Sequence, residues 1–249
     1  MSASPDSVAQ TPVMPDLHTA DRVAAELRNE ILKGYLLPGH RLKDAQLAAQ
    51  FRVSRNTLRE ALRLLVADGL VVTRLHVGSS VRRLTEDDVR DIYRVRRTIE
   101  ISAVLGSSHA SDVKLKAVSE ALDLTAAAVH EGLWRDVGTA SLVFHQAIVG
   151  LCDSERLDAF FANILAQLRL VFAVMPDESA FQRQWVERDR RIADFLLGGR
   201  RADAAADLAR YLDDSEALVI DAIRASRHQT ADRASSARVA PRPPQQKGR

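Results

Sequence analysis

The stretch SRNTLREALRLLVAD, residues 54–68, constrains this chain more than any other. At the α-helical period of about 3.6 residues per turn, Leu58, Ala61, Leu62 and Leu65 line up as one apolar stripe. Arg55, Arg59 and Arg63 fall at i, i+4, i+8 on a second stripe, with Asn56 beside them. Ser54 has the side chain of an N-cap, and Gly69 is placed to end the helix after Asp68. One face of such a helix anchors it while the other presents guanidinium and amide groups. Arg can grip guanine or phosphate through two N–H groups, and Asn can do so for adenine, so this face suits the major groove of DNA. The Ser54 hydroxyl and the first backbone N–H groups can meet a phosphate. The alternative is a solvated surface, which three arginines at helical spacing also fit.

The neighbouring elements decide between these readings. Val23, Leu27 and Ile31 recur at i, i+4, i+8 and predict a first helix ending at Gly34. Leu37-Pro38-Gly39-His40 is a turn. Asp44 is placed to cap a short helix whose inward residues are Leu47, Ala48 and Phe51. After the arginine-bearing helix, Leu70–Leu75 and Ser80–Arg83 read as two strands around a turn at His76-Val77-Gly78-Ser79. Helix, turn, short helix, tight turn, basic helix and hairpin, in that order, make a helix-turn-helix with a wing.

From residue 85 on, strand signal is nearly absent. Thr85, with Asp88 three residues later, opens a long helix to about Leu105 as a variant capping box. Helical patterns then cover 110–131, 134–152, 155–174, 179–197 and 202–226. The expected fold is mostly α, a winged helix-turn-helix over 19–84 and an all-α helical bundle over 85–227. Residues 1–18 read as a disordered leader and 228–249 as a disordered basic tail. Charge follows the same division. Residues 19–84 carry twelve Lys and Arg against six Asp and Glu, whereas 85–223 carry sixteen against twenty-four. A basic module on an acidic body points to a polyanion partner for that module alone.

Several classes are excluded. Cys152 is the one cysteine, so there is no internal disulfide and no cysteine-based zinc cluster. No apolar run reaches the roughly 18 residues of a membrane span, and the N-terminus lacks the basic start and apolar stretch of a signal peptide. A cytoplasmic protein without membrane partners is expected. Cys152 has no placed base, His145 has no evident nucleophile, and there is no phosphate loop, so no catalytic residue and no enzyme are expected.

The bundle helices carry polar residues on inward stripes. Arg96 falls among Val89, Ile92, Ile99 and Ala103; Ser141, with His145 next to it, joins Val137, Phe144, Ile148 and Leu151. Asp189 lies between Trp185 and Ile192, and Tyr211 follows Leu208. Buried polar groups need partners. Arg96, Ser141, His145, Asp189 and Tyr211 therefore form either a closed network, with Arg96 paired to Glu100 one turn on, or the lining of a ligand site.

The segment PGHRLKDAQLAAQFRVSRNTLREALRLLVADGLV, residues 38–71, resembles the DNA-binding domain of the GntR family of bacterial transcription regulators. The carrying pattern is P-G-x-x-L, L-A, V-S-R-x-x-L-R-E-A-L-x-x-L and G-L. The resemblance implies that Ser54, Arg55, Asn56, Thr57 and Arg59 meet a double-stranded, pseudo-palindromic operator, with Gly78 at the wing tip near the minor groove. Arg63, on the same stripe, joins them. Three departures stand out: Arg52 where a turn glycine is usual, Ala45 where some members carry an arginine, and His76-Val77-Gly78 in place of Gly-Arg-Gly. Arg74, His76 or Arg82 are the expected substitutes at the wing.

Residues 85–226 resemble the FCD ligand-binding domain of the FadR-type branch, through R-x-x-I-E at 96–100, F-H at 144–145, R-x-I-A-D-F-L-L-G-G at 190–199 and A-x-x-x-L-x-x-Y-L at 204–212. Many such domains hold a divalent metal with one Asp and three His. Here those positions read Ser141, His145, Asp189 and Tyr211, so no metal and no cofactor are expected. The resemblance then implies a homodimer, a repressor, whose bundle binds a small anionic effector directly, an organic acid or acyl-CoA, with Arg96 as its anchor. The alternative is a bundle that serves only as a dimerisation scaffold.

Overall fold

The computed structural model describes residues 17–173, 175 and 177–239, with side chains over 19–173, 175 and 177–225. The N-terminal part runs α1 (Leu17–Leu32), β1 (Arg41–Leu42), α2 (Asp44–Phe51), α3 (Arg55–Ala67), β2 (Val71–Arg74) and β3 (Gly78–Val81). After it come α4 (Glu86–Gly106), α5 (Asp112–His130), α6 (Trp134–Gly150), α7 (Glu155–Phe172), α8 (Glu178–Leu197) and α9 (Arg201–Val239). This is the expected winged helix-turn-helix followed by an all-α bundle.

The elements form for local reasons. Val23, Leu27 and Ile31 of α1 are buried, as are Leu58, Ala61, Leu62 and Leu65 of α3, so the two apolar stripes meet in one core. Each buried leucine contributes about 1.5–3 kcal/mol of transfer free energy. The Ser54 hydroxyl caps α3 by accepting from the Thr57 N–H at 3.1 Å. Asp44 does not cap α2: it is the first helical residue, where its charge faces the positive helix end, and the N-cap is Lys43 without a side-chain bond. The hairpin pairs Val71 with Val81 and Arg74 with Gly78. A third strand, β1, lies against β3, giving the order β1-β3-β2. At two residues it is too short to leave a period-2 pattern in the sequence.

In the bundle, Thr85 and Asp88 close the predicted capping box at α4. Ser111, Ser154 and Asp177 cap α5, α7 and α8. Two boundaries differ from expectation. α1 begins at Leu17, inside the predicted leader, the rest of which (1–16) lies outside the described residues. α9 continues to Val239, into the predicted tail. Nothing between 226 and 239 is Gly or Pro, so no breaker interrupts the helix over that stretch. Residues 240–249 lie outside the described residues. Among the described residues, no helix is long and apolar enough to cross a membrane.

Two apolar clusters fill the molecule, meeting between Val81 and Leu84. The division is not clean, because α7 lends Ala166 and Leu170 to the cluster that holds α1, α3 and the hairpin. Polar contacts follow the same seam. Arg28 of α1 binds both Asp68 and Asn163 of α7, and Gln167 Nε2 donates to the Asp68 carbonyl at 3.0 Å. Gly69 has φ of 72°, which favours glycine, and a Cβ there would stand 2.6 Å from Gln167 Nε2 and push that amide aside. Arg135 of α6 donates to the Lys33 carbonyl at the end of α1, at 2.7 Å.

Candidate DNA-reading face and buried polar cluster

On α3, Arg55, Asn56, Arg59 and Arg63 are exposed, on the side opposite the buried leucines. Arg55 and Asn56 make no side-chain hydrogen bond or ion pair among the described residues. Arg59 lies 3.4 Å from Asp44, and Arg63 Nη1 donates to Glu60 at 2.7 Å. Both pairs are solvent-exposed and worth little, so either arginine can be exchanged for a phosphate or base. Thr57 departs from expectation. It is buried, and its hydroxyl pairs with that of Ser54, so it builds the cap and is not part of the exposed face.

The wing tip carries Arg74, His76 and Gly78, all exposed. His76 takes φ of 61° and Gly78 φ of 92°, which turns the loop in three residues. Arg41 of β1 holds this loop by donating to the Val77 carbonyl at 2.9 Å, a tether the sequence did not reveal because β1 was not legible. Arg82 is paired to Asp88 of α4 at 2.6 Å, on the side of the hairpin that meets the bundle. Between α3 and the wing runs a cleft of about 250 Å³ lined by Asp44, Arg59, Arg63, Gly78 and Ser79.

Inside the bundle, the five predicted polar residues are brought together. Arg96, Ser141, His145, Asp189 and Tyr211 are all 5% exposed or less. Ser141 Oγ donates to Asp189 Oδ2 at 2.8 Å and stands 3.4 Å from the Tyr211 hydroxyl. Glu100, fully buried, accepts from Arg96 Nε at 2.8 Å and from His145 Nδ1 at 2.6 Å. Glu100 was named beforehand only as a partner of Arg96; its i+4 spacing was the signal for the larger role. By taking the Nδ1 proton it fixes the imidazole tautomer and turns Nε2 towards Asp189 Oδ1, 3.9 Å away. Among the buried atoms without a hydrogen-bond partner, this cluster holds Arg96 Nη2, His145 Nε2, Asp189 Oδ1 and the Trp185 indole Nε1.

Electrostatics separates the two carboxylates. Burial pushes both up, but at Glu100 the adjacent Arg96 and His145 outweigh it and hold the carboxyl below its usual range. At Asp189 burial wins over His145 and Ser141, and the carboxyl is pushed up to about 6. Burial likewise raises Tyr211, which stays a neutral phenol.

The donor set does not fit a metal. Of the four positions the family uses, Ser141 and Tyr211 are poor ligands, which leaves only His145 Nε2 and Asp189, too few to hold an ion tightly. Among the described residues no group of three or more His, Cys, Asp or Glu is arranged to hold an ion.

A winged helix-turn-helix that presents free guanidiniums, carried on a closed helical bundle, defines a DNA-binding transcription regulator. Comparison with known proteins gives the family. Residues 19–81 match the bacterial regulatory proteins of the gntR family, and residues 91–214 match the FCD domain. A solved transcriptional regulator of GntR type from Rhodococcus sp. RHA1 is 37% identical, covers 82% of this chain and 99% of its own, and superposes with a TM-score of 0.78. The protein named "Probable D-xylose utilization operon transcriptional repressor" of Paenarthrobacter nicotinovorans is 30% identical over 73% of this chain and 81% of its own length. The uncharacterized HTH-type regulator YdhC of Bacillus subtilis (strain 168) is 34% identical over 56% of this chain and 63% of its own. The chain belongs to the GntR family and carries an FCD domain. It is a DNA-binding transcription regulator and not an enzyme.

Proposed function

We propose that this regulator is a homodimeric, ligand-responsive repressor of the FadR-type branch, released from a pseudo-palindromic operator by a small anionic effector held in the bundle. The observation that carries the reading is the set of unpartnered atoms around Arg96. Arg96 Nη2 and the Trp185 Nε1–H are donors, while Asp189 Oδ1 and, with the imidazole neutral, His145 Nε2 are acceptors. A carboxylate bearing a neighbouring hydroxyl supplies the complement, an acceptor for the first pair and a donor for the second. The cluster is closed, so the helices that carry it must part for a ligand to reach it, which couples occupancy to bundle shape. Repression follows the activity stated for the Paenarthrobacter relative.

Ser54, Arg55, Asn56, Arg59 and Arg63 are assigned to the operator, with Arg74, His76 and Gly78 at the wing. A gel-shift titration on the promoter next to the protein's own gene tests this. Specific retardation by wild type, lost in Arg55→Ala and Arg59→Ala, is expected. Failure of the folded protein to select any sequence from random DNA would sink the reading.

A second reading, a bundle that only dimerises, has one observation in its favour: Arg96 is already paired with Glu100. A thermal-shift screen of hydroxycarboxylates and acyl-CoAs separates the two, since a ligand specific for the native state raises Tm. A hit abolished by Arg96→Met supports the effector site; an empty screen supports the scaffold.

A further inference from the structure

A second cavity lies where the two parts of the molecule meet, well apart in composition from the Arg96 cluster. It is a groove of about 320 Å³ bounded by α1, α6 and α7. Leu32, Leu142, Val143 and Leu165 supply most of its wall, and its charged residues are Arg28 and Arg169. No acidic side chain lines it among the described residues. Arg169 is 3% exposed, and its Nε–H has no partner among the described residues. Glu178 lies 2.9 Å from Nη1 but poorly aligned with it, and Asp136 acts on the guanidinium from further off. The volume is at the small end of ligand clefts, roughly 300–1,000 Å³. At ~30 Å³ per water-sized group it takes on the order of ten.

We infer that this groove is a second ligand site, for a small amphipathic monocarboxylate with an alkyl or aryl body. Charge and shape argue together. An inorganic anion leaves the leucine wall wet, and a neutral hydrocarbon leaves the buried Arg169 Nε–H without an acceptor. A carboxylate on a short apolar body satisfies both. The site also has a route to the reading head. Arg28 holds Asp68, the residue that ends α3, and Asn163 of α7. An anion that takes Arg28 takes it from these two, so occupancy is felt at the end of the DNA-reading helix.

The test is titration calorimetry of the full chain with octanoate, octan-1-ol and acetate. Octanoate is expected to bind at least tenfold more tightly than either. Val143 is 42% exposed at the rim, so Val143→Trp fills the groove without disturbing the core, and it weakens octanoate at least tenfold. Arg28→Met erases the preference for octanoate over octan-1-ol, a ratio that a general loss of stability does not move. Ser141→Ala, in the buried cluster, leaves octanoate binding unchanged, so this site and the effector site stand or fall separately. The inference is overturned by absence of saturable octanoate binding, by equal affinity for octan-1-ol, or by binding that survives Val143→Trp and is lost in Ser141→Ala.

Discussion

Arg52 closes α2 with φ of 54° and ψ of 46°, a left-handed conformation that glycine takes at least cost. The strain exceeds the extra chain entropy that glycine loses on folding, so Arg52→Gly raises stability by about 0.5–1 kcal/mol. The urea midpoint measures it; a fall would mean that the arginine side chain makes a contact that outweighs its backbone. Asp189 gives a pH-dependent counterpart. Its carboxyl rises from 3.8 to about 6 in the folded protein, facing His145, Ser141, Tyr211 and, further off, Arg96. A raised carboxyl pKa favours the native state while the group is protonated, and that contribution is lost as pH rises through about 6. Asp189→Asn keeps the acceptor for Ser141 and cannot ionise. The variant gains on wild type by on the order of 2–3 kcal/mol between pH 4 and pH 7. Parallel Tm profiles of the two proteins would refute this. At this scale the sequence was informative wherever side-chain type and spacing coincide. Ser54 was legible as a cap, and the five inward polar residues as a cluster. The resemblance alone offers Thr57 to the operator, and side-chain spacing does not show that its hydroxyl turns back to Ser54.

The elements themselves were legible through apolar period and capping, with exceptions that have physical causes. β1 has two residues and no pattern of its own; it exists because β3 offers a partner. α9 outran its apolar pattern because backbone helicity needs only the absence of breakers, and none occurs between 226 and 239. The shared face of α7 was invisible for a different reason. Ala166 and Leu170 look like ordinary bundle residues, yet they pack with α1, α3 and the hairpin. Leu170→Ala therefore costs about 2–5 kcal/mol by cavity formation. The loss falls on the DNA-reading part, detectable as faster amide hydrogen exchange in α1 and α3. Exchange that accelerates only within the bundle would contradict the packing described.

For the whole molecule, the shared core and the contacts of Arg28, Gln167 and Arg135 make the reading head and the bundle one cooperative unit. Trp134 and Trp185 both lie in the bundle, so their fluorescence reports that part alone, while far-UV circular dichroism reports every helix. The two urea transitions are expected to coincide; a separate early transition in dichroism would mean the head unfolds by itself. The seam also bears on descent. A head grafted onto a foreign bundle leaves behind Ala166 and Leu170, the residues that complete its own core, and meets an α7 without Gln167 beside Gly69. A chimera is therefore expected to keep the stability of its head only when this strip of α7 travels with it.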